Sequence, residues 1–439
     1  MGPELVAIIA LVALFVVGTL LPINMGALAY VAAWFVGVYA LGMDEKEILG
    51  GISGDLVLTL IGVTYLFAIA KNNGTVDLIV RKAVQAVGGR VALIPWVMFG
   101  VTALLTAIGA ASPAACAIIG PIALGFAGRY KINALMMGMF VVHGAQAGGF
   151  SPISIYGTIT NSVMRDAGYA NTDVVVFVSS IAVNLVLAIV LFLALGGRKL
   201  MSQRIDVLDT GEVTESLHSG GNTVSGRGLG ASIPTMTRSV GVKRDQVVTL
   251  VAFVAVAVVA LAFDQNIGFA AITAAVLLAI LSPQEHKDAV RQIAWPTVLL
   301  VAGVTTYASV LTAAGSPEYV GTWAAGLGVA AIGALILCYV GGITSAFASS
   351  TALLPVLIPI ALPLVATGHI SPALLAAALA VSSTIVDVSP FSTNGALMVA
   401  NRPDTISEQA YYKQVLTYSV IVTLVGPLLV WAVLILPGW

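Results

Sequence analysis

Ser389-Pro390-Phe391-Ser392-Thr393-Asn394-Gly395 is the stretch on which the fold turns, because the chain carries it in two forms. Its echo, Ser151-Pro152-Ile153-Ser154-Ile155-Tyr156-Gly157, lies 238 residues earlier, with Ser151 against Ser389 and Gly157 against Gly395. Each form breaks a long apolar run with proline, hydroxyls and glycine. Of 439 residues, 59% are hydrophobic and only 9% charged, with a net charge of -1. A water-soluble chain of this length carries far more surface charge; the net charge itself says nothing about nucleic acid, and no such partner is expected. Apolar runs of roughly 18 residues or more, the length that crosses a bilayer, follow one another almost end to end. The chain therefore reads as polytopic in the lipid bilayer. A helix in lipid cannot leave backbone groups unpaired unless it is buried in protein or lines a watery cavity. Two breaks in corresponding positions of two halves mark a binding site between them.

The rest of the chain repeats around these breaks. Gly62-Val63-Thr64 returns as Gly303-Val304-Thr305, and Gly74 as Gly315, both at an offset of 241. Further on, Pro121 matches Pro359 at the offset of 238 that relates the breaks. The first repeat, 1–196, reads as spans near 4–21, 25–42 and 52–70 and an amphipathic piece near 74–88. A hairpin at 91–128, a broken helix at 132–165 and a span at 172–196 complete it. The second repeat, 246–439, has the same order, with spans near 246–263, 268–281 and 295–314 and an amphipathic piece near 317–329. A hairpin at 330–366, a broken helix at 371–400 and a last span at 411–436 follow. Between the repeats, 197–245 is polar and rich in Gly, Ser and Thr, as a flexible linker is. The opening run, Leu5 to Leu21, has no basic n-region or small-residue cleavage site and reads as a span. Cys116 and Cys338, both in apolar segments, read as buried thiols.

If each hairpin enters and leaves on one side, every repeat crosses the bilayer five times, and an odd number inverts the second repeat. The charges give an independent test, because short cytoplasmic loops accumulate Lys and Arg. With 197–245 inside, 17 of the 19 basic residues fall on the cytoplasmic side, leaving Lys46 and Arg165 outside. The expected fold is thus all-α, with two inverted repeats of five transmembrane helices, each carrying a re-entrant hairpin and a broken helix. Both termini face outward and the linker is cytoplasmic. Two short crossings would give the same topology as a hairpin. The hairpin is favoured by its middle, Ala111-Ser112-Pro113 in the first repeat and Ser349-Ser350-Thr351 in the second, where Pro113 interrupts a helix and hydroxyls suit a buried tip.

Those clusters carry a family resemblance. The chain resembles MatC-type dicarboxylate carriers, within the divalent-anion symporters and ion transporters. There each repeat carries a Ser-Asn-Thr tip whose serine stands ten residues before a proline, then a broken span with a Thr-Pro-Pro-Asn-like turn. Here Ser349-Ser350-Thr351 stands ten residues before Pro359, Ala111-Ser112-Pro113 ten before Pro121, and the turns are the two quoted stretches. The resemblance implies an elevator-type secondary transporter of the inner (cytoplasmic) membrane, a homodimer, whose tips hold substrate carboxylates and help bind sodium. Both tip asparagines are serine here, Ser112 and Ser350, and the first tip has Ala111 and Pro113 where the pattern has Ser and Thr, which weakens sodium coupling there. Hydroxyls and freed N–H groups at half-helix N-termini still suit a carboxylate. The expected substrate-binding residues are Ser112, Pro113, Ser151, Ser154, Ser349, Ser350, Thr351, Ser389, Ser392, Thr393 and Asn394.

A charge at membrane depth is costly and functional by default. Asp387, two residues before Ser389, is such a group, with Gly149 as its counterpart. With Ser350 and Thr351 it could ligate sodium through oxygen, carry a coupled proton, or cap a half-helix. His143, eight residues before Ser151, is the second proton-coupling candidate, with a packing histidine as the alternative. Asp55 and Asn24 read as caps near span ends, and Asp77 and Glu318 as acids suited to helix starts. No Arg or Lys falls in the proposed core, so a bound dianion needs dipoles and a co-bound cation. The expected activity is cation-coupled uptake of small dicarboxylates such as malonate or succinate, with no cofactor beyond a coupling sodium or proton. A sodium/proton antiporter of the same architecture is the alternative and would want several buried acids. A membrane enzyme would want a constellation such as His-Glu-x-x-His, which is absent, and a passive channel has no use for paired broken helices.

Overall fold

The protein is described by a computed structural model covering residues 2–86, 90–201, 203, 243–263, 265–283, 286–325, 330–346, 350–367 and 370–438. It is helical. The first series is α1 (Pro3–Leu20), α2 (Met25–Phe35, continued by a π-helical turn Val36–Leu41), α3 (Glu45–Gly50), α4 (Gly54–Asn72), α5 (Thr75–Ala86), α6 (Leu93–Ala107), α7 (Ser112–Arg129), α8 (Ala134–Gly148), α9 (Ile155–Asp166) and α10 (Asp173–Ala194). The second is α11 (Arg244–Ala262), α12 (Ile267–Leu281), α13 (Trp295–Ala313), α14 (Ser316–Ala325), α15 (Ala330–Ser345), α16 (Ser350–Ala361, followed by a 3-10 segment Leu362–Thr367), α17 (Pro372–Thr384), α18 (Thr393–Ala400) and α19 (Glu408–Leu434). Among the described residues six helices, α1, α4, α7, α10, α13 and α19, are long and apolar enough to cross a membrane. The outer faces of α10 and α19 carry exposed Val186, Val190, Ile421 and Leu424, as lipid-facing helices do. The protein is a multi-pass membrane protein.

The two series match in their order of helices, and a 3-10 turn in the second, Ala289–Gln292, stands in the place of α3. That short helix stands on a capping box, in which Asp44 Oδ1 accepts from the Glu47 amide at 2.8 Å and Glu47 Oε2 accepts from the Asp44 amide at 3.0 Å. Elsewhere the punctuation is what the residues dictate. Asn24 caps α2 and its counterpart Asn266 caps α12, each accepting a backbone N–H from the first turn. Asp77 and Glu318 sit in the first turns of α5 and α14. Pro113 does not interrupt a helix. It stands in the first turn of α7, where no N–H is needed and its φ suits the helix.

Packing between the series is reciprocal. α2 packs on α13 as α12 packs on α4, and α1 touches α14 as α11 touches α5. Both crossings are made by glycine. A methyl on Gly62 would stand 2.7 Å from the Gly268 carbonyl oxygen, and one on Gly268 2.7 Å from the Thr59 amide nitrogen; Gly26 and Gly303 meet in the same manner. Without a hydrophobic drive between helices in lipid, such close backbone approach is what holds a crossing together. The hairpins and broken helices form a second group: α6 packs on α8 and α15 on α17, while α7 meets α18 and α9 meets α16. Each hairpin thus touches the break of the other series. Cys116 and Cys338 are buried and free. Most of the linker, 204–242, and the tip residue Ser349 lie outside the described residues.

Candidate functional site

The two breaks are built identically. Ser392 Oγ donates toward the carbonyls of Asp387 and Ser389, at 2.7 Å each, and accepts the Gly395 amide at 3.3 Å, which makes it the N-cap of α18. Ser154 does the same for α9, reaching the Ser151 carbonyl at 2.6 Å and that of Gly149, and accepting from the Gly157 amide at 3.3 Å. Ser389 and Ser151 each accept the amide two residues on, from Phe391 at 3.2 Å and Ile153 at 3.4 Å. Glycine closes each turn: a methyl on Gly157 or Gly395 would overlap the carbonyl oxygen of Ser151 or Ser389. Ser151, Ser154 and Ser389, expected to touch substrate, bond the backbone, and none of the three lines the cavity described next.

That cavity, of about 590 Å³, lies between the two helix groups. One wall comes from the end of α1 and the starts of α2 and α13, with Thr19, Asn24, Pro296 and Thr297. The other collects Ser112, Pro113, Ser350, Thr351, Asp387, Ser392, Thr393 and Asn394, eight of the expected site residues. Four half-helices, α7, α9, α16 and α18, begin at this cavity with Ser112, Ile155, Ser350 and Thr393. Helix N-termini present unpaired N–H groups and partial positive charge.

Tips and breaks are tied crosswise. Asn394 Nδ2, in the second break, donates to Ser112 Oγ of the first tip at 2.9 Å, while Asn394 Oδ1 is buried without a protein partner. Tyr156, in the first break and at the place matched to Asn394, lines the cavity together with Ser350 and Thr351 of the second tip. Asp387, 8% exposed, accepts from Ser350 Oγ at 3.0 Å. Ser350 is further bound to Ser345 Oγ at 2.6 Å and faces the Ser383 carbonyl at 3.3 Å. The expected cation ligands Asp387, Ser350 and Thr351 thus stand together on the second half. Among the described residues lining the cavity there is no Lys, Arg or His.

His143 stands elsewhere. It is wholly buried between α8, α10 and α19, with Nδ1 2.9 Å from Asn184 Oδ1 and Nε2 2.6 Å from the Tyr418 hydroxyl. Neither nitrogen opens on the cavity. Asp55, at the start of α4, pairs with Arg165 of α9 at 3.7 Å and accepts from Asn266 of α12. Sequence reasoning missed Tyr156, Ser345, Thr19 and Thr297. Tyr156 alone left a signal, since the 238-residue offset places it on Asn394, already a candidate.

Residues 1–149 match the family model of the dicarboxylate carrier protein MatC N-terminus. The match covers about a third of the chain and takes in the first tip, ending at Gly149, where the first break begins. The fold is also that of the Alcanivorax borkumensis YdaH transporter, whose crystal structure has been described as having an unusual topology. The TM-score is 0.52 at 14% sequence identity, over 89% of this chain and 88% of that one. No curated protein sequence matches the chain. Both likenesses are to transporters, and neither is to an enzyme.

Proposed function

We propose that the protein is a secondary carrier of small dicarboxylate anions, of the size of malonate or succinate, that moves them together with a cation. The observation that carries this reading is the meeting of four half-helix N-termini at one cavity that holds a carboxylate, Asp387, and no basic side chain. N-termini and tip hydroxyls suit a carboxylate. Asp387 beside them repels a dianion unless a proton or sodium neutralises it, so anion and cation bind best together. A volume of about 590 Å³ lies within the roughly 300–1,000 Å³ of small-molecule sites. The match over 1–149 adds the substrate class.

The wider architecture is read in the same way. The reciprocal packing and the charge bias support two inverted repeats, 1–196 and 246–439, with the 197–245 linker in the cytoplasm and the termini outside. The buried first tip, set against the opposite break, supports re-entrant hairpins. Because the cavity lies between the two helix groups, the hairpins and broken helices would slide as one body past α1, α2, α4 and α11–α13, within a homodimer of the inner membrane. The cavity's scaffold wall lies at helix ends that the charge bias puts inside, which supports a cavity reached from the cytoplasm.

The test is uptake of labelled malonate and succinate into proteoliposomes under a sodium gradient, then a proton gradient, for the wild type and Asp387→Asn. Uptake driven by one gradient and lost in the variant is expected. Sodium/proton exchange abolished by the substitution, with no dicarboxylate uptake, would replace this reading with an antiporter.

A further inference from the structure

The two halves place unlike residues at matched positions around their tips. On the second half Asp387, Ser345 and Ser383 surround Ser350. At the offset of 238 the first half has Gly149, Ala107 and Ala145 as their counterparts, with Ser112 at the tip. Of the four oxygen-bearing side chains only one, the tip serine, has an oxygen-bearing counterpart. Nor is the place of the missing carboxylate open. A methyl on Gly149 would stand 2.9 Å from Tyr156 Cδ2 and 3.1 Å from the Ala145 carbonyl. The Tyr156 ring, packed on Phe150 at 5.4 Å between centroids, fills the space in which a side chain equivalent to Asp387 would lie. Tyr156 also borders the cavity on which Ser350, Thr351 and Asp387 open.

We propose that the carrier has one coupling-cation site per protomer, on the second half around Asp387, and that Tyr156 is its positioning residue. The ring closes the first-half counterpart, and the hydroxyl orients the tip serine and carboxylate that take the cation. Oxygen ligands of this kind serve a hard monovalent cation or a proton alike, and the experiment separates the two. A second site would need a carboxylate or several hydroxyls where the first half has glycine and alanine. The inference rests on cation-coupled transport.

Accumulation in proteoliposomes with the membrane potential clamped at zero gives the coupling number directly. A tenfold cation gradient drives at most about tenfold accumulation through one site and about a hundredfold through two. Sodium and proton gradients are imposed separately, and only the coupling cation supports accumulation. Wild type is expected at about tenfold. Tyr156→Phe keeps the ring, and with it the coupling number, while losing the hydroxyl that orients a charged group, so the half-saturating cation concentration rises about tenfold or more. Accumulation well above tenfold in the wild type would overturn the single site and leave the carrier reading standing. An unchanged cation dependence in Tyr156→Phe would overturn the positioning role. No accumulation under either gradient would overturn the carrier reading and this inference with it.

Discussion

The bond between Asn394 Nδ2 and Ser112 Oγ joins residues 282 apart in the chain, across the two halves, and lies beside the cavity. At 2.9 Å, with Ser112 5% and Asn394 2% exposed, it is a buried neutral hydrogen bond. Such bonds contribute about 0.5–1.5 kcal/mol net, which is roughly a two- to twelvefold effect on an equilibrium. Ser112→Ala and Asn394→Ala each remove the bond together with any direct contact to substrate, so neither variant alone isolates it. The double variant does. Half-saturating dicarboxylate concentration, measured in proteoliposomes at a fixed cation gradient, should rise in each single variant. In the double variant it should fall short of the product of the two effects by about two- to twelvefold, since contacting residues couple. Effects that multiply to within about 1.5-fold would mean that tip and break act independently on substrate, and would refute the crosswise site.

The remaining expectations concern the breaks, the outer face and the buried histidine. Gly157→Ala and Gly395→Ala force a methyl onto a backbone carbonyl in the matched turns; at about 1–3 kcal/mol of strain each, both should cut uptake severalfold or more while the chain still purifies as a monodisperse species. Wild-type uptake in either variant would show that the turn relaxes. Asp55 and Arg165 are 39% and 53% exposed at 3.7 Å, so their pair contributes about 0.2–1 kcal/mol. Arg165→Ala should then speed modification, by a membrane-impermeant reagent, of a cysteine placed at Thr158, in the pocket they border, by up to about fivefold, and an unchanged rate would show that the pair does not hold this pocket shut. His143→Ala strips partners from Asn184 and Tyr418 and should cost about 1–3 kcal/mol of stability, read as a lower melting temperature. The pH profile of uptake should keep its midpoint; a displaced midpoint would return His143 to the coupling path.

The order of helices was legible because a membrane span is a local object. Eighteen apolar residues must satisfy their own backbone as a helix wherever they end up, so the spans near 4–21, 172–196 and 295–314 could be placed to within a residue or two of α1, α10 and α13. The breaks were legible for the converse reason, since proline, serine and glycine together deny a helix its continuation. The small helix α3 was not separated, because a six-residue amphipathic turn leaves no hydropathy signal. Pro113 was misjudged in its effect, since a proline that ends one helix and a proline that begins the next look alike until the chain direction of the turn is known.

By itself, then, the sequence determined the membrane, the succession of helices, the internal repeat and the eight cavity residues as a set of candidates. Only the tertiary structure decided which hydroxyls face the cavity. The serines of the breaks all bond their own backbone, but Ser392 does so on the cavity while Ser151, Ser154 and Ser389 do so away from it. It alone set each tip against the opposite break and brought Tyr156 and Asp387 to one cavity. Periodicity fixes where a side chain lies along its helix, but the partner it faces depends on how helices hundreds of residues apart cross, which is settled by packing at glycines such as Gly62 and Gly268.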